Sequence, residues 1–286
     1  MGTASHPDKK GEALKQQRLK MLEDIADEMS SGDIVFPTSF DIVIRLRDAL
    51  RDPEVSVKRI VALIRAEPLI CARLIHQANS AAQGANQSVT DVTAAIKRLG
   101  INAVRNAALA IAVSQLVRAK DLVDFKDFSR KLWLHSLHTA AAAEVLAREL
   151  SPRVSPEEAM FAGLVHDLGA FYMLYRAVQY EELRERPDTV RHLIAQWHES
   201  IGESLLHALQ LPDHIVASAR DHDQPREPML DAPRNLQEVV YAANVIAGGN
   251  MEWADDGRQR MLGEPLLALA PRIEERLAEL KRDYAN

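Results

Sequence analysis

The chain has 286 residues, 47% of them hydrophobic, 27% charged and 5% aromatic, with a formal net charge of −6 and a pI near 5.9. This is soluble globular composition, long enough for one large or two modest domains whose core needs neither a disulfide nor a structural metal. The acidic balance argues against broad nucleic-acid binding, the single Cys71 excludes a disulfide framework or cysteine-cluster zinc site, and no apolar run is long enough to cross a bilayer.

Residues 1–11 are polar and aperiodic and read as a loose tail. Residues 1–30 lack the apolar core of a signal peptide, and Met1-Gly2 lacks the Ser or Thr that myristoylation requires because His6 stands there, so a cytoplasmic location is expected. Glu12 to Met29 is helical in period, with Leu14, Met21, Leu22, Ile25 and Met29 on one face and Ser30-Ser31-Gly32 to end it. This helix is expected to cap the domain, with a dimerisation or partner helix as the sharper alternative. Ser39 caps a helix to Arg51 that turns Ile42, Val43, Leu46 and Leu50 inward. After the break at Asp52-Pro53, Ser56 caps a helix through Ile60, Leu63 and Ile64, and Glu67-Pro68 opens another carrying Ile70, Leu74 and Ile75. Cys71 within it reads as a small buried core residue. Asn79 to Asn86 reads as a loop, Asp91 caps a helix that Gly100 ends, and a long apolar helix runs from Asn102 to about Val117.

Strand-type alternation is absent, so the fold class is all-α: a two-lobe helical bundle of short helices with Pro, Gly, Ser and Asp punctuation. The expected division is a tail and helix over 1–32, a main domain over 33–250 and a C-terminal helical extension over 251–286. The main domain splits into lobes at 33–127 and 128–250, with Asp121–Asp127 as the junction. Residues 185–190 and 223–235 are expected to be the longest loops of the second lobe. Leu266, Leu269, Ile273, Leu277 and Leu280 form a C-terminal stripe that Pro271 divides into two helices, packing on its own domain or on a second copy.

The ten histidines suggest a metal site, since imidazole is the commonest metal ligand and carboxylates complete such sites. The best constellation is His135, the adjacent pair His166-Asp167, His198 and His222, all on or beside helices of the second lobe. Met160–Val165 is apolar on all sides and delivers His166-Asp167 from the core, where an ionisable pair needs partners. Trp133 and Trp197, next to these ligands, read as core packing, and Arg98 with Arg105 as a solvated stripe that could otherwise meet a phosphate. Asn79-Ser80 could line a ligand pocket, but capping and tight packing account for it equally well. Nucleotide-binding glycine motifs and a nucleophile elbow are absent.

Val165-His166-Asp167-Leu168-Gly169 after an apolar helix resembles the core signature of the HD superfamily of metal-dependent phosphohydrolases. Trp133-Leu134-His135-Ser136 resembles its first histidine, His198-Glu199-Ser200-Ile201-Gly202 the next, and His222 a further one. In the first lobe, Phe36-Pro37, Glu67-Pro68-Leu69-Ile70, Ala78 to Gly84 and Ala95-Ile96-Lys97-Arg98-Leu99-Gly100 together resemble the HDOD domain, the HD-related output domain of bacterial signalling proteins, over roughly 33–250. That resemblance implies a regulatory module acting through a protein partner or a small ligand such as a nucleotide, with the N-terminal lobe and terminal helices as contact surfaces.

Two departures bear on mechanism. The superfamily's closing ligand is an aspartate, and the matching position here is Asn244, a weaker and uncharged donor. Where the cyclic-dinucleotide-cleaving HD-GYP relatives carry a phosphate-handling lysine, this chain has Ala170, and their Gly-Tyr-Pro signature is missing from Gln224–Asp231. The histidine set therefore reads either as a vestigial site that still holds Mn, Fe, Ni or Zn, or as a metal-free hydrogen-bonded cluster. The rival function is an HD-type phosphohydrolase or phosphodiesterase acting on a nucleotide or cyclic dinucleotide.

Overall fold

The structure is a computed structural model that describes residues 11–32, 34, 40–50, 52, 54–66, 68–80, 89–117, 120–224, 231–249 and 262–283. Among these every regular element is a helix, and none is long and apolar enough to cross a membrane. The chain forms two compact units, Met1–Val35 together with Ala119–Asn286, and Phe36–Arg118.

The smaller unit holds α2 (Asp41–Leu50), α3 (Val57–Arg65), α4 (Pro68–Ser80), α5 (Val92–Leu99) and α6 (Ile101–Val117). Its helix ends follow local chemistry. Ser56 accepts from the Arg59 amide at 3.3 Å, and Asp91 accepts from the Thr93 and Ala94 amides at 2.8 and 3.1 Å. Gly100 adopts φ +81° while its N–H closes on the Ile96 carbonyl at 2.8 Å. The expected loop from Asn79 starts later, because α4 continues through Ser80 and Asn79 bonds both backbone groups of Val89, at 2.7 and 2.9 Å. An amide that pairs with a backbone N–H and C=O at once is structural, and this takes Asn79 out of a ligand role. Arg98 is exposed, as a solvated residue should be, and one of its guanidinium nitrogens also donates to the Ala78 carbonyl at 3.2 Å. Cys71 is half-buried rather than buried, with its thiol 3.1 Å from the Ile64 carbonyl. Phe36-Pro37, Ser39, Ala81–Gly84 and the Arg105 side chain lie outside the described residues.

The larger unit is built on α7 (Lys126–Leu150), entered through a 3-10 segment at Lys120–Phe125. Against α7 pack α8 (Pro156–Val165), α13 (Leu236–Ile246) and α15 (Ala270–Asp283), while α9 (Leu168–Ala177) packs on α11 (Pro187–Ala208). Short helices α10 (Glu181–Arg184), α12 (Asp213–Ser218) and α14 (Glu264–Leu267) complete the unit. Residues 185–190 are not the expected loop, because Pro187 occupies the first turn of α11, where its fixed φ and missing N–H cost nothing. Of the expected loop at 223–235, residues 225–230 lie outside the description. So do the tail at 1–10 and residues 250–261.

The N-terminal helix α1 (Glu12–Ser31) ends at Gly32, with φ +79° and its N–H on the Glu28 carbonyl. It buries Leu14, Met21 and Ile25 and packs on α10 and α11. Polar contacts pin it: Tyr180 donates to Asp24 and Tyr172 to Glu28, each at 2.6 Å, and the buried Arg176 pairs with Glu28. At the other end α15 buries Ile273, Leu277 and Leu280, and its Arg276 reaches the buried Glu144 of α7 at 2.7 Å. The C-terminal leucine stripe therefore packs on its own unit.

Candidate metal centre

Two close helix crossings bring the site together. A Cβ on Gly163 of α8 would lie 2.8 Å from the Thr139 carbonyl of α7, and one on Gly169 of α9 only 2.0 Å from the His198 carbonyl of α11. Backbones that approach this closely leave no room for side chains, so the residues one turn away are turned toward each other. His135 projects from α7, His166 ends α8, Asp167 precedes α9, His198 projects from α11, His222 follows α12, and Asn244 lies on α13. All six are buried. Trp133 is buried beside them, whereas Trp197 is 45% exposed and packs no core, because one residue along a helix turns a side chain by roughly 100°.

The imidazoles share one orientation. The Nδ1 atoms of His166, His198 and His222 stand 2.8–2.9 Å from the carbonyls of Gly163, Ile194 and Ala219, and His135 Nδ1 is 3.4 Å from the Ala247 carbonyl. Carbonyls accept only, so each Nδ1 carries its proton outward and each Nε2 points inward. The four Nε2 atoms meet around Asp167. His135 and His166 Nε2 are 3.6 and 3.2 Å from its Oδ2, and His198 and His222 Nε2 are 3.6 and 3.2 Å from its Oδ1. The paired Nε2 atoms lie 3.3 Å apart for His135 and His166, and 3.2 Å apart for His198 and His222. The result is two triads, each able to place its ligand atoms around one ion, joined through the two oxygens of one carboxylate.

Protons account for only half of this arrangement. Burial by itself lowers His222, but the hydrogen bond to Asp167 and the charges of Asp223, Asp167 and Glu199 outweigh it and push His222 up to about 10. One imidazolium thus serves the second triad. Burial would raise Asp167, yet the histidines around it, with His222 Nε2 3.2 Å from its Oδ1, hold it well below the usual carboxylate range. In the first triad burial lowers His166 and prevails over the pull of Asp167, so His166 stays neutral. Its Nε2 lone pair then faces both Asp167 Oδ2 and the Nε2 of His135. Oδ2 is buried with no hydrogen-bond partner. The Thr139 hydroxyl stands 3.5 Å from His135 Nε2.

Lone pairs set against a carboxylate oxygen in a dry core repel unless a positive charge lies among them. The donor set therefore fits a divalent transition metal: imidazoles whose Nδ1 sides are held by carbonyls and whose Nε2 atoms face one carboxylate, His222 giving up its extra proton when an ion binds. His135, His166 and Asp167 would form one set of ligands, and Asp167, His198 and His222 the other. A metal so held would supply Lewis-acid polarisation of a bound oxygen.

Two flanking groups were not read from the sequence as part of the centre. Asp223 Oδ2 lies 3.5 Å from His198 Nε2, and the Asp223 amide donates to Glu199 at 3.0 Å. Burial would raise the Asp223 carboxyl, but His222 and His198 hold it lowered. The adjacency of Asp223 to His222 was its only signal. Asn244 donates through Nδ2 to the His222 carbonyl and to Asp223 Oδ1, both at 2.9 Å, which leaves its buried Oδ1 without a partner. Ala170 is fully buried on α9 and brings no charge to the centre.

Residues 36–225 match the HDOD domain. The chain is 24% identical over 247 residues to a protein of Treponema pallidum (strain Nichols), aligning 83% of this chain with 45% of that relative, so it spans less than half that relative's length. Among solved structures it resembles a metal-dependent phosphohydrolase candidate from Shewanella amazonensis SB2B, with TM-score 0.67 and 18% identity over 94% of this chain and 99% of that one. It also resembles an HDOD domain protein of unknown function from Geobacter sulfurreducens, with TM-score 0.55 and 20% identity over 93% and 99%. A candidate signal transduction protein from Marinobacter aquaeolei VT8 aligns with TM-score 0.51 and 18% identity over 96% and 67%. The domain match covers well over half of the chain and runs through both helical units and the histidines at 135, 166, 198 and 222, and on that ground this chain belongs to the HDOD family.

Proposed function

We propose that the protein is a regulatory signal-transduction module whose histidine centre binds a divalent transition metal, Mn, Fe, Ni or Zn, and binds rather than hydrolyses phosphoesters. The observation that carries this reading is the first triad: His135, His166 and Asp167 face each other with no proton donor for Asp167 Oδ2. Hydrolysis of a phosphoester asks in addition for a cation to meet the phosphoryl oxygens. The position that supplies one in the HD-GYP relatives is the buried Ala170, and the closing position offers the neutral Asn244. Membership of the HDOD family supports the regulatory role, which would be exercised in the cytoplasm through a protein partner, the terminal helices and the N-terminal lobe being its contact surfaces.

Elemental analysis of protein purified without chelator, in wild type and in His166→Ala/Asp167→Ala, tests the binding half. About one or two metals per chain, lost in the folded variant, are expected. A metal-free wild type would overturn it and leave the hydrogen-bonded cluster. A phosphodiester assay of the metal-loaded protein tests the other half, where turnover that disappears in His166→Ala would establish the hydrolase instead. That alternative draws on the retained donor set and on the likeness to the Shewanella fold.

A further inference from the structure

The histidine centre has a neighbour on its α7 side. Lys131, Leu134, His135 and His138 fall at positions i, i+3, i+4 and i+7 of α7, and so share one face. Opposite them stand Leu277 and Lys281 of α15, four residues apart. Together with Ala247 these side chains line a cleft of about 330 Å³, the lower end of the size range of small-molecule sites. His135 belongs to both places: its ring forms part of the cleft wall and its Nε2 reaches Asp167.

The composition of the cleft is specific. Lys131 of α7 and Lys281 of α15 are exposed cations lining the cleft, and Leu134, at 39% exposure, is a large apolar side chain in the same lining. Glu274 of α15 lies 3.7 Å from His138 Nε2 and so is turned toward that imidazole. The wall formed by α15 is fixed in place. Arg276 is held by Glu144 at 2.7 Å and Arg272 by Glu149 at 2.5 Å, over the buried Ile273, Leu277 and Leu280. Two ammonium groups, one from each of two packed helices, in one cleft with an exposed apolar side chain suit a ligand with a doubly charged anionic end and an apolar body.

We propose that the cleft between α7 and α15 binds a phosphorylated small molecule of mononucleotide size, its phosphate met by Lys131 and Lys281 and its apolar body resting on Leu134. The C-terminal helix, which lies outside the residues matched to the HDOD domain, thereby becomes part of the ligand site. The proposal rests on the reading of the adjoining centre as a binding and not a hydrolytic site.

The test is calorimetric titration of the full chain with AMP, GMP, adenosine and inorganic phosphate, in wild type, Lys131→Glu, Lys281→Glu and the double variant. At least one nucleotide should bind wild type, with affinity falling about tenfold in each single variant, as expected for the loss of one charge-assisted contact. Inorganic phosphate should bind more weakly than the nucleotide, and adenosine not at all. Both lysines are exposed, so the variants should keep wild-type helicity and metal content. Failure of AMP and GMP to bind wild type, or affinity unchanged in the double variant, would overturn the proposal. Phosphate binding as tightly as the nucleotide would overturn the role given to Leu134. Turnover of the bound nucleotide that is lost in His166→Ala would instead overturn the reading of the centre, leaving the lysine dependence to decide the cleft separately.

Discussion

Replacing Gly169 by alanine puts a single methyl group where α9 meets α11. The new Cβ would lie 2.0 Å from the His198 carbonyl oxygen, 2.5 Å from the Gly202 nitrogen and 3.0 Å from the Gly202 Cα. All three are backbone atoms, so no rotamer change relieves the clash, and the helices must part by about 1.4 Å to reach the 3.4 Å of ordinary contact. Overpacking of this kind costs about 1–3 kcal/mol. In a unit of this size that is a fall in Tm of roughly 2–12 °C. The same displacement carries His198 away from Asp167, on whose other side His166 and His135 stand. Distortion around ligands typically weakens metal affinity by about 10–100-fold. Thermal unfolding monitored by circular dichroism, together with metal titration of the chelated protein, measures both effects. Gly202→Ala is the control: its Cβ would meet the Gly169 nitrogen at 3.3 Å, a contact that a few tenths of an ångström relieve. Equal Tm and equal metal affinity for Gly169→Ala and wild type would refute the claim that this crossing positions the histidines.

Two further outcomes follow from the charges. His222 is raised from 6.5 to about 10, so the fold binds its proton more tightly than the unfolded chain does. Its contribution is complete below pH 6.5 and is lost as pH rises toward 10; metal-stripped protein should therefore lose Tm between pH 7 and 10, and His222→Gln should flatten that slope. An equal slope in the variant would remove His222 as its source. Glu28→Ala should strand Arg176, which is buried against α1, and lower stability by about 3–5 kcal/mol in urea unfolding. A change below about 1 kcal/mol would mean that α1 is not held by this pair.

Much of the chain's local order follows from residues a few places apart. Ser56 and Asp91 cap the helices they precede and Gly32 and Gly100 end theirs, because a cap and the groups it satisfies lie within four residues of each other. Pro187 shows the limit even there: a proline beside polar residues suits a loop and a helix start equally, and only the packing of α11 chooses. The identities of His135, His166, Asp167, His198 and His222 were legible as a pattern, but a pattern does not say that their Nε2 atoms meet.

That meeting is a tertiary fact. It depends on carbonyls that hold each Nδ1, on glycines that let α8 and α9 approach α7 and α11, and on contacts between residues 31, 55 and 112 positions apart. The parts played by Asp223 and Glu199, the outward turn of Trp197 and the docking of α15 beside His135 arise in the same way. Hydrogen bonds within one turn are set by the chain's own geometry. Those across the centre exist only once apolar burial has brought distant helices to a fixed separation, and no short stretch of sequence carries that separation.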